Sequence, residues 1–415
     1  MQKKIINYKF KKNNTIGREE IIASNKVLKT GKLSGFLGSS SKEFLGGKNV
    51  RKFEKVVEKF YGVKYAISVN SWTSGLVAMV GSLDLEPGDE IIVPSWTMCA
   101  TATAILHWNC IPVFVDIDSN SFCIDPLDVK KKITKKTKAI ITVDIFGYPS
   151  DIIKIKKIIK NKNIKIISDN AQTPYGLYKG KISGTNVDIG GYSFNYHKHI
   201  NTGEGGVVIT NSKKLAHRVR LIRNHGEAVI NSKLKKDLSN IIGHNFRLGE
   251  IEAAIGIEQY KKLKKIIKRR QFLCRRLTKG LVEIGNSINL PKDQKNWTHN
   301  YYIYPISINL KKIKVSRKKV IMLLEKEGVQ GLISGYANVH KLPIFNRKIA
   351  YGTKGFPWSL NGKTYKNKYK YKCKVSETMH NKNFIGIEVC LFDLNKKDID
   401  LIIKAFLKVW KKIKV

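Results

Sequence analysis

One lysine of the chain, Lys198, stands in a setting that could support covalent chemistry. It lies between His197 and His199, five residues after Ser193, and shortly before the glycine-rich run 203–206. A lysine amine is a strong nucleophile only when it is unprotonated, and burial or nearby positive charge lowers its pKa. Such a lysine can hold an aldehyde cofactor as a Schiff base. The alternative is a surface lysine before a hairpin turn, and this stretch alone does not decide between the two.

A second candidate site is the turn Asn70–Gly75, which follows an apolar run and opens a helical pattern. Free backbone N–H groups, the positive end of the helix dipole and the hydroxyls of Ser71 and Thr73 together predict a binding site for an anion such as phosphate. A plain Ser/Thr helix cap would have the same appearance.

The elements around these residues alternate between apolar strand-like runs and amphipathic helical runs. Strands are expected near 65–70, 90–94, 112–116, 139–146, 164–169, 189–194 and 206–210, and helices near 74–82, 101–107, 126–132 and 151–161. This alternation predicts an α/β fold with a mainly parallel sheet that is covered on both faces. Ligands of such sheets bind beyond the carboxyl ends of the strands, where Asp169 and Lys198 also fall.

The lysine segment resembles the signature of a known family. Ser193, Phe194, Lys198 and the run 203–206 match, in register, the PLP-dependent sugar aminotransferases of the DegT type, which have aspartate-aminotransferase fold type I. The resemblance implies pyridoxal 5'-phosphate (PLP) as cofactor, with Lys198 as its attachment point and the catalytic base of the proton shift. It implies an amino transfer, usually from glutamate, to a keto sugar that is nucleotide-linked or a related keto-sugar acid. A dehydratase branch carries His at the lysine position, so the register of Lys198 favours the aminotransferase.

The same resemblance assigns roles to residues elsewhere. Asp169 is similar to the catalytic Asp that pairs with the pyridine nitrogen, and Gln172 to the neighbour that bonds the ring hydroxyl. A carboxylate there keeps the ring protonated and electron-withdrawing. The remaining implied cofactor contacts are Ser71, Trp72 and Thr73 for the phosphate, Met98 for the ring face, and Ser193 of the signature. Trp72 replaces a family Gly, and Met98 stands where the family usually has an aromatic residue.

The run from Gly243 to Leu248 resembles a family motif whose Asn, here Asn245, reaches across a dimer interface to the partner's cofactor phosphate. The resemblance therefore implies a homodimer. We predict an N-terminal segment and substrate-bordering loop at 1–48, a large PLP-binding domain at 49–265, and a small α+β C-terminal domain at 266–415. Residues 351–382 fit the family least, and we interpret them as a solvated insertion rather than a substrate loop.

The composition and charge of the chain indicate which classes of partner to expect. The chain has 415 residues and a net charge of +45, which suggests a polyanionic partner. We find no zinc-finger spacing, helix-turn-helix signature or basic-aromatic repeat, and we interpret the excess of lysine as compositional bias. The six cysteines have no metal-type spacing and indicate a reducing compartment. Without a signal peptide or a long apolar run, we expect a cytoplasmic protein with no metal site and with neither nucleic acid nor a membrane as partner.

Two alternatives stay open at this point. One keeps PLP but makes the chain a sugar dehydratase or a non-catalytic PLP-binding regulator. The other, from a different class, is a basic nucleic-acid-binding protein.

Overall fold

The computed structural model describes residues 3–230, 242–294 and 296–415. Its strands are β1 (Tyr65–Val69), β2 (Glu90–Pro94), β3 (Ile111–Val115), β4 (Thr137–Val143), β5 (Lys165–Asp169), β6 (Leu177–Tyr178), β7 (Lys181–Ile182), β8 (Ile189–Ser193), β9 (Gly206–Thr210), β10 (Ile288–Asn289), β11 (Tyr304–Ile308), β12 (Leu332–Ile333) and β13 (Phe384–Ile387).

The α-helices within the same residues are α1 (Arg18–Leu28), α2 (Lys48–Tyr61), α3 (Trp72–Gly81), α4 (Cys99–Leu106), α5 (Pro126–Lys132), α6 (Ile152–Ile159), α7 (Lys213–Arg223), α8 (Glu250–Leu281), α9 (Arg317–Lys326), α10 (Pro343–Asn346), α11 (Tyr365–Lys368), α12 (Lys374–Thr378) and α13 (Lys396–Ile413).

Seven strands form the large sheet in the order β1-β9-β8-β5-β4-β2-β3. Four neighbouring pairs are parallel, and β9 runs antiparallel to both β1 and β8. Residues of β2 and β3 are buried throughout, as expected for a sheet with helices on both faces. The predicted strands and the mainly parallel sheet are therefore confirmed.

The topology gathers the functional loops at one edge of this sheet. Strands β5 and β8 are parallel neighbours, with Asp169 opposite Gly191. Their carboxyl ends therefore lie side by side and deliver Asp169 and the lysine loop to the same place. Turn Asn70–Gly75 also follows the carboxyl end of its strand, β1.

A second, four-stranded antiparallel sheet has the order β10-β11-β13-β12. Its apolar core includes the buried side chains of α13 and, from the start of the chain, Ile6 and Phe10. Phe36 instead packs in a cluster with α2 and the lysine segment. The first 48 residues thus contribute to the cores beside both sheets, and the 32-residue helix α8 runs through the boundary predicted at 265/266. That division into domains stays a prediction.

The segment 351–382 is not wholly solvated, because part of it enters the core. Trp358 and Tyr369 are buried in the core of the large sheet, and Tyr369 donates a hydrogen bond to Glu90 at 2.7 Å. Its aromatic residues account for this packing, because they bury large apolar surfaces against β2 and β3. None of the helices within the described residues has the length and apolar character needed to cross a membrane.

Candidate active site

The loop that carries Lys198 leaves β8 and closes back onto β9. Backbone N–H groups donate from Phe194 to Gly205 at 2.9 Å and from Thr202 to Phe194 at 3.0 Å. Gly205 has φ of +148°, a conformation that residues with a Cβ rarely adopt. The glycine-rich run after the lysine is thus required by the loop that presents it.

The Lys198 side chain is partly buried, and its Nζ lies 4.5 Å from the centre of the Tyr302 ring. Burial lowers the pKa of Lys198 to about 8, while the charges of Asp169 and Cys390 act in the opposite direction. Burial, rather than a cation-rich pocket, is therefore the main cause of the shift. An amine with this pKa is partly unprotonated near neutral pH, which a nucleophile requires.

His197 and His199 flank the lysine as neutral rings. Burial, followed by the charge of Lys198, lowers the pKa of His197 to about 4. His199 is fully buried, and burial and Arg270 hold its pKa far below the ordinary value. Its Nε2 lies 3.1 Å from the carbonyl of Gln172, and its Nδ1 contacts the Arg270 guanidinium. His199 thus ties the lysine loop to the Gln172 segment and to α8.

Asp169 is the last residue of β5, and donors surround its buried carboxylate. Oδ1 accepts from Trp72 Nε1 at 2.7 Å and from the Ala171 N–H at 3.2 Å, and Oδ2 accepts from the Thr101 hydroxyl at 2.8 Å. Burial raises the pKa of Asp169, whereas these donors and the charge of Lys198 lower it. A carboxylate offers about four acceptor positions. The described part of the chain supplies one donor to Oδ2, so a second position on that oxygen is open to it, which suits a protonated pyridine nitrogen.

Gln172 lies three residues after Asp169, and both the oxygen and the nitrogen of its side-chain amide form hydrogen bonds. Its Oε1 accepts from the Phe146 N–H at 2.5 Å, and its Nε2 donates to the Tyr336 hydroxyl at 3.1 Å. The second N–H of that amide is available, so a contact with a cofactor hydroxyl is compatible with this arrangement. The predicted role of Gln172 stays a prediction.

The proposed phosphate turn caps α3. Ser71 is the N-cap, and its Oγ accepts from the Ser74 N–H at 3.1 Å. Ser74 uses its hydroxyl proton toward Asn70 at 2.7 Å, so the hydroxyl contact between Ser71 and Ser74 at 2.9 Å is donated by Ser71. Thr73 is exposed in the first turn of α3. Among the residues that the structure describes, the Thr73 hydroxyl has no hydrogen-bond partner and can receive an anion at the helix end, whereas Ser71 must rotate to reach one.

Trp72 does not direct its side chain to this phosphate turn. Only 7% of the residue is exposed, and the indole donates to Asp169 beneath the site. The resemblance assigns Trp72 to the phosphate, and the sequence gives no sign that its side chain meets the Asp169 carboxylate.

Met98, Ser193 and Asn245 differ in their surroundings. Met98 precedes α4 and is 56% exposed, and its contact with the face of a cofactor ring stays a prediction. Ser193 ends β8 and accepts a long hydrogen bond, 3.4 Å, from the Asn195 N–H. Asn245 is exposed, and its carbonyl accepts from Asn70 Nδ2 of the same chain at 3.4 Å. Asn245 therefore lies beside its own phosphate turn, and its reach to a partner subunit stays a prediction.

Two residues at the site escaped sequence reasoning: Thr101 and Tyr302. Thr101 lies in the first turn of α4, and its position there gives no sign of its hydrogen bond to Asp169. No local pattern marks Tyr302, because its contact with Lys198 joins distant segments. Tyr336 belongs to the run from Gly335 to His340, which resembles a segment near the active site in the family of the lysine signature, but that run gives no sign of its hydrogen bond to Gln172.

A cavity of about 600 Å³ lies beside Tyr336, which is one of its lining residues. Its lining includes the basic side chains Arg317 and His380 and the polar residues Ser334 and Asn381. Arg317 donates to the carbonyls of Met379 and His380 at 3.3 and 2.6 Å. Since the Tyr336 hydroxyl accepts a hydrogen bond from Gln172, this cavity adjoins the candidate catalytic centre. Its volume suits a sizeable small molecule.

Comparisons with known proteins agree with this site. Residues 37–364 match the DegT/DnrJ/EryC1/StrS aminotransferase family. The chain is 32% identical to GDP-perosamine synthase of Escherichia coli O157:H7, over 73% of this chain and 80% of that one. It is also 32% identical to UDP-4-amino-4,6-dideoxy-N-acetyl-beta-L-altrosamine transaminase of Helicobacter pylori, over 75% of this chain and 80% of that one.

A solved aminotransferase from Psychrobacter cryohalolentis shares the fold, with a TM-score of 0.81 at 23% identity over 97% of this chain and 99% of that one. The likeness covers both sheets, since it spans nearly the whole chain. The lysine, the buried carboxylate and the helix end together fit PLP, the cofactor of this family. The chain belongs to the DegT/DnrJ/EryC1/StrS aminotransferase family and is a PLP-dependent sugar aminotransferase.

Proposed function

We propose that the protein transfers an amino group from glutamate to a nucleotide-linked keto sugar. The observation that carries the proposal is the pairing of a partly buried Lys198, with a pKa of about 8, and a buried Asp169 at neighbouring strand ends. Two relatives are named as makers of GDP- and UDP-linked amino sugars. Arg317 in the lining of the cavity beside Tyr336 and the net charge of +45 both favour an anionic substrate.

Each residue of the candidate active site has a separate role in such a transfer. PLP, when bound, supplies an electron sink for the carbon that loses or gains a proton. Asp169 holds the proton of the ring nitrogen, and Thr101 and Trp72 hold Asp169. Lys198 would hold the cofactor through its Nζ until the amine of the donor displaces it. The released, unprotonated Nζ would then take the proton from the donor carbon that bears the amine and deliver it to the cofactor carbon that had carried the lysine.

The surrounding residues keep this lysine active. His197 and His199 are neutral, so they add no positive charge that would lower its pKa further. Partial burial limits water at the amine, which preserves the shifted pKa. We therefore assign proton transfer to Lys198 and a shaping role to the histidines.

We further propose a cytoplasmic homodimer with two composite sites, divided near residue 265 into a large and a small domain. The resemblance of the segment around Asn245 to a trans-acting phosphate contact supports the dimer. The intact Lys198 disfavours a dehydratase. The enclosed catalytic residues disfavour a purely nucleic-acid-binding role.

An acceptor screen tests the proposal. Purified protein is incubated with PLP, glutamate and either nucleotide-linked keto sugars or the matching free keto sugars, and 2-oxoglutarate and the aminated sugar are measured. We expect turnover with a nucleotide-linked acceptor, its loss in Lys198→Ala, and its retention in Lys64→Ala, which removes an exposed lysine. Turnover that survives Lys198→Ala would remove this lysine from the mechanism. Equal kcat/KM for free and nucleotide-linked sugars would refute the nucleotide requirement.

A further inference from the structure

We propose that Trp72 is a positioning residue for the reaction, whose indole N–H fixes the orientation of the Asp169 carboxylate and keeps it ionised toward the ring nitrogen of PLP. This inference rests on the family's cofactor and not on the identity of the sugar. It assigns to Trp72 a task separate from the backbone contact with phosphate that its position predicts.

The contact itself is short and enclosed. Trp72 Nε1 lies 2.7 Å from Asp169 Oδ1, both residues are buried, and they are 97 positions apart in the chain. Hydrogen bonds from a neutral donor to a charged acceptor are stronger than neutral pairs, and water cannot replace the donor at a buried position. Loss of the indole N–H therefore leaves a carboxylate oxygen with the weaker Ala171 contact at 3.2 Å as its remaining donor among the described residues.

Two glycines leave room for this indole. A Cβ on Gly191 would lie 2.7 Å from the Trp72 ring, and one on Gly75 would lie 2.9 Å from it. A Cβ on Gly206 would lie 3.0 Å from the Trp72 backbone, so Gly206 makes room for the main chain of this residue. Strand β8 and helix α3 thus shape the space that the ring occupies beside Asp169.

The donor set explains why this matters for the cofactor. Trp72 and Ala171 occupy Oδ1, Thr101 occupies part of Oδ2, and one acceptor position on Oδ2 remains. Without the Trp72 indole the Asp169 carboxylate can rotate about its side-chain bond, so the open acceptor position on Oδ2 no longer has a fixed direction. The pKa of Asp169, which burial already raises, would also rise further, because the indole is one of the donors that lower it.

The competing explanation is that Trp72 only fills the core, since it packs in the main apolar cluster of the large sheet. Trp108 provides a matched control. It is buried in the same cluster, fits against Gly81 of α3, and donates its indole N–H to the Val77 carbonyl at 2.8 Å. Trp108→Phe thus removes an indole hydrogen bond of similar length, here to a neutral carbonyl, and an equivalent amount of ring without touching Asp169.

The test measures PLP affinity of the apoprotein by fluorescence titration, without any sugar. We expect Trp72→Phe to weaken PLP binding by about 10- to 100-fold, the loss for one hydrogen bond to a charged group, and Trp108→Phe to change it less than about threefold. A similar loss in both variants would overturn the proposal and leave Trp72 as a core residue.

A double-mutant cycle separates orientation of Asp169 from packing. If Trp72 acts through Asp169, Trp72→Phe should have little effect on PLP affinity in an Asp169→Asn background. An undiminished loss in that background would contradict the proposal. Should Trp72→Phe fail to fold, benzothienylalanine at position 72 keeps the shape of the indole without its N–H, and wild-type PLP affinity in that protein would equally overturn the inference. Failure of any of these tests would leave amino transfer to the sugar unaffected.

Discussion

The Tyr302 ring should set the protonation of Lys198. Its centre lies 4.5 Å from Nζ, within the range of a cation–π interaction, which favours the charged amine. Tyr302→Leu should therefore lower a pKa that burial has already brought to about 8. Tyr302→Phe keeps the ring face and serves as the matched control.

The size of the effect follows from the environment. A cation–π contact contributes about 0.5–1 kcal/mol at exposed sites and about 2 kcal/mol when desolvated. At 1.36 kcal/mol per pKa unit, its loss lowers the pKa by about 0.4–1.5 units. With a pKa of about 8, about a tenth of the amine is unprotonated at pH 7. A pKa near 7 would raise that fraction to about a half, an increase of about fivefold.

The assay follows the rate at which the apoprotein attaches PLP, measured by near-visible absorbance between pH 6 and 10. The rate rises with pH as the amine loses its proton, with a midpoint of about 8 for the unmodified protein. Tyr302→Leu should move the midpoint to about 7, and Tyr302→Phe should leave it unchanged. A wild-type midpoint near 10.5 would refute the effect of burial. Equal midpoints for the Leu and Phe variants would refute the role of the ring.

Three further outcomes test other parts of the site and the fold. Asp169→Asn should retain PLP yet lower kcat by about 100-fold or more, because an amide cannot hold the ring proton; near-normal single-turnover kinetics would remove Asp169 from catalysis. Mixing inactive Lys198→Ala and Asn245→Asp subunits should restore part of the activity, and no rescue in verified mixed dimers would place Asn245 outside the partner's site. Arg223→Met should lower the free energy of unfolding of the apoprotein, measured in urea, by about 3–5 kcal/mol, because it leaves Glu54 without its buried ion-pair partner at 2.7 Å. A loss below about 1 kcal/mol would show that other groups compensate the charge of Glu54.

The local features of this protein were determined by short stretches of sequence. The glycine-rich run after Lys198 predicts a turn, and Gly203 and Gly205 have φ of +86° and +148° in the loop that forms there. The apolar run that ends at Asp169 predicted a buried strand, and β5 ends there. Ser71 was predicted to open a helix and does. These signals can be read because each depends on the backbone preferences of a few adjacent residues.

The environment of those residues was decided by tertiary structure alone. Trp72 stood in a phosphate-type turn, and nothing in its neighbours showed that its indole would meet Asp169, 97 positions away. Tyr336 lies 164 positions from Gln172, its hydrogen-bond partner. Segment 351–382 was predicted to be solvated, yet it covers β2 and β3. Such contacts depend on which surfaces meet when the sheets and helices pack, and spacing within one segment carries no information about that.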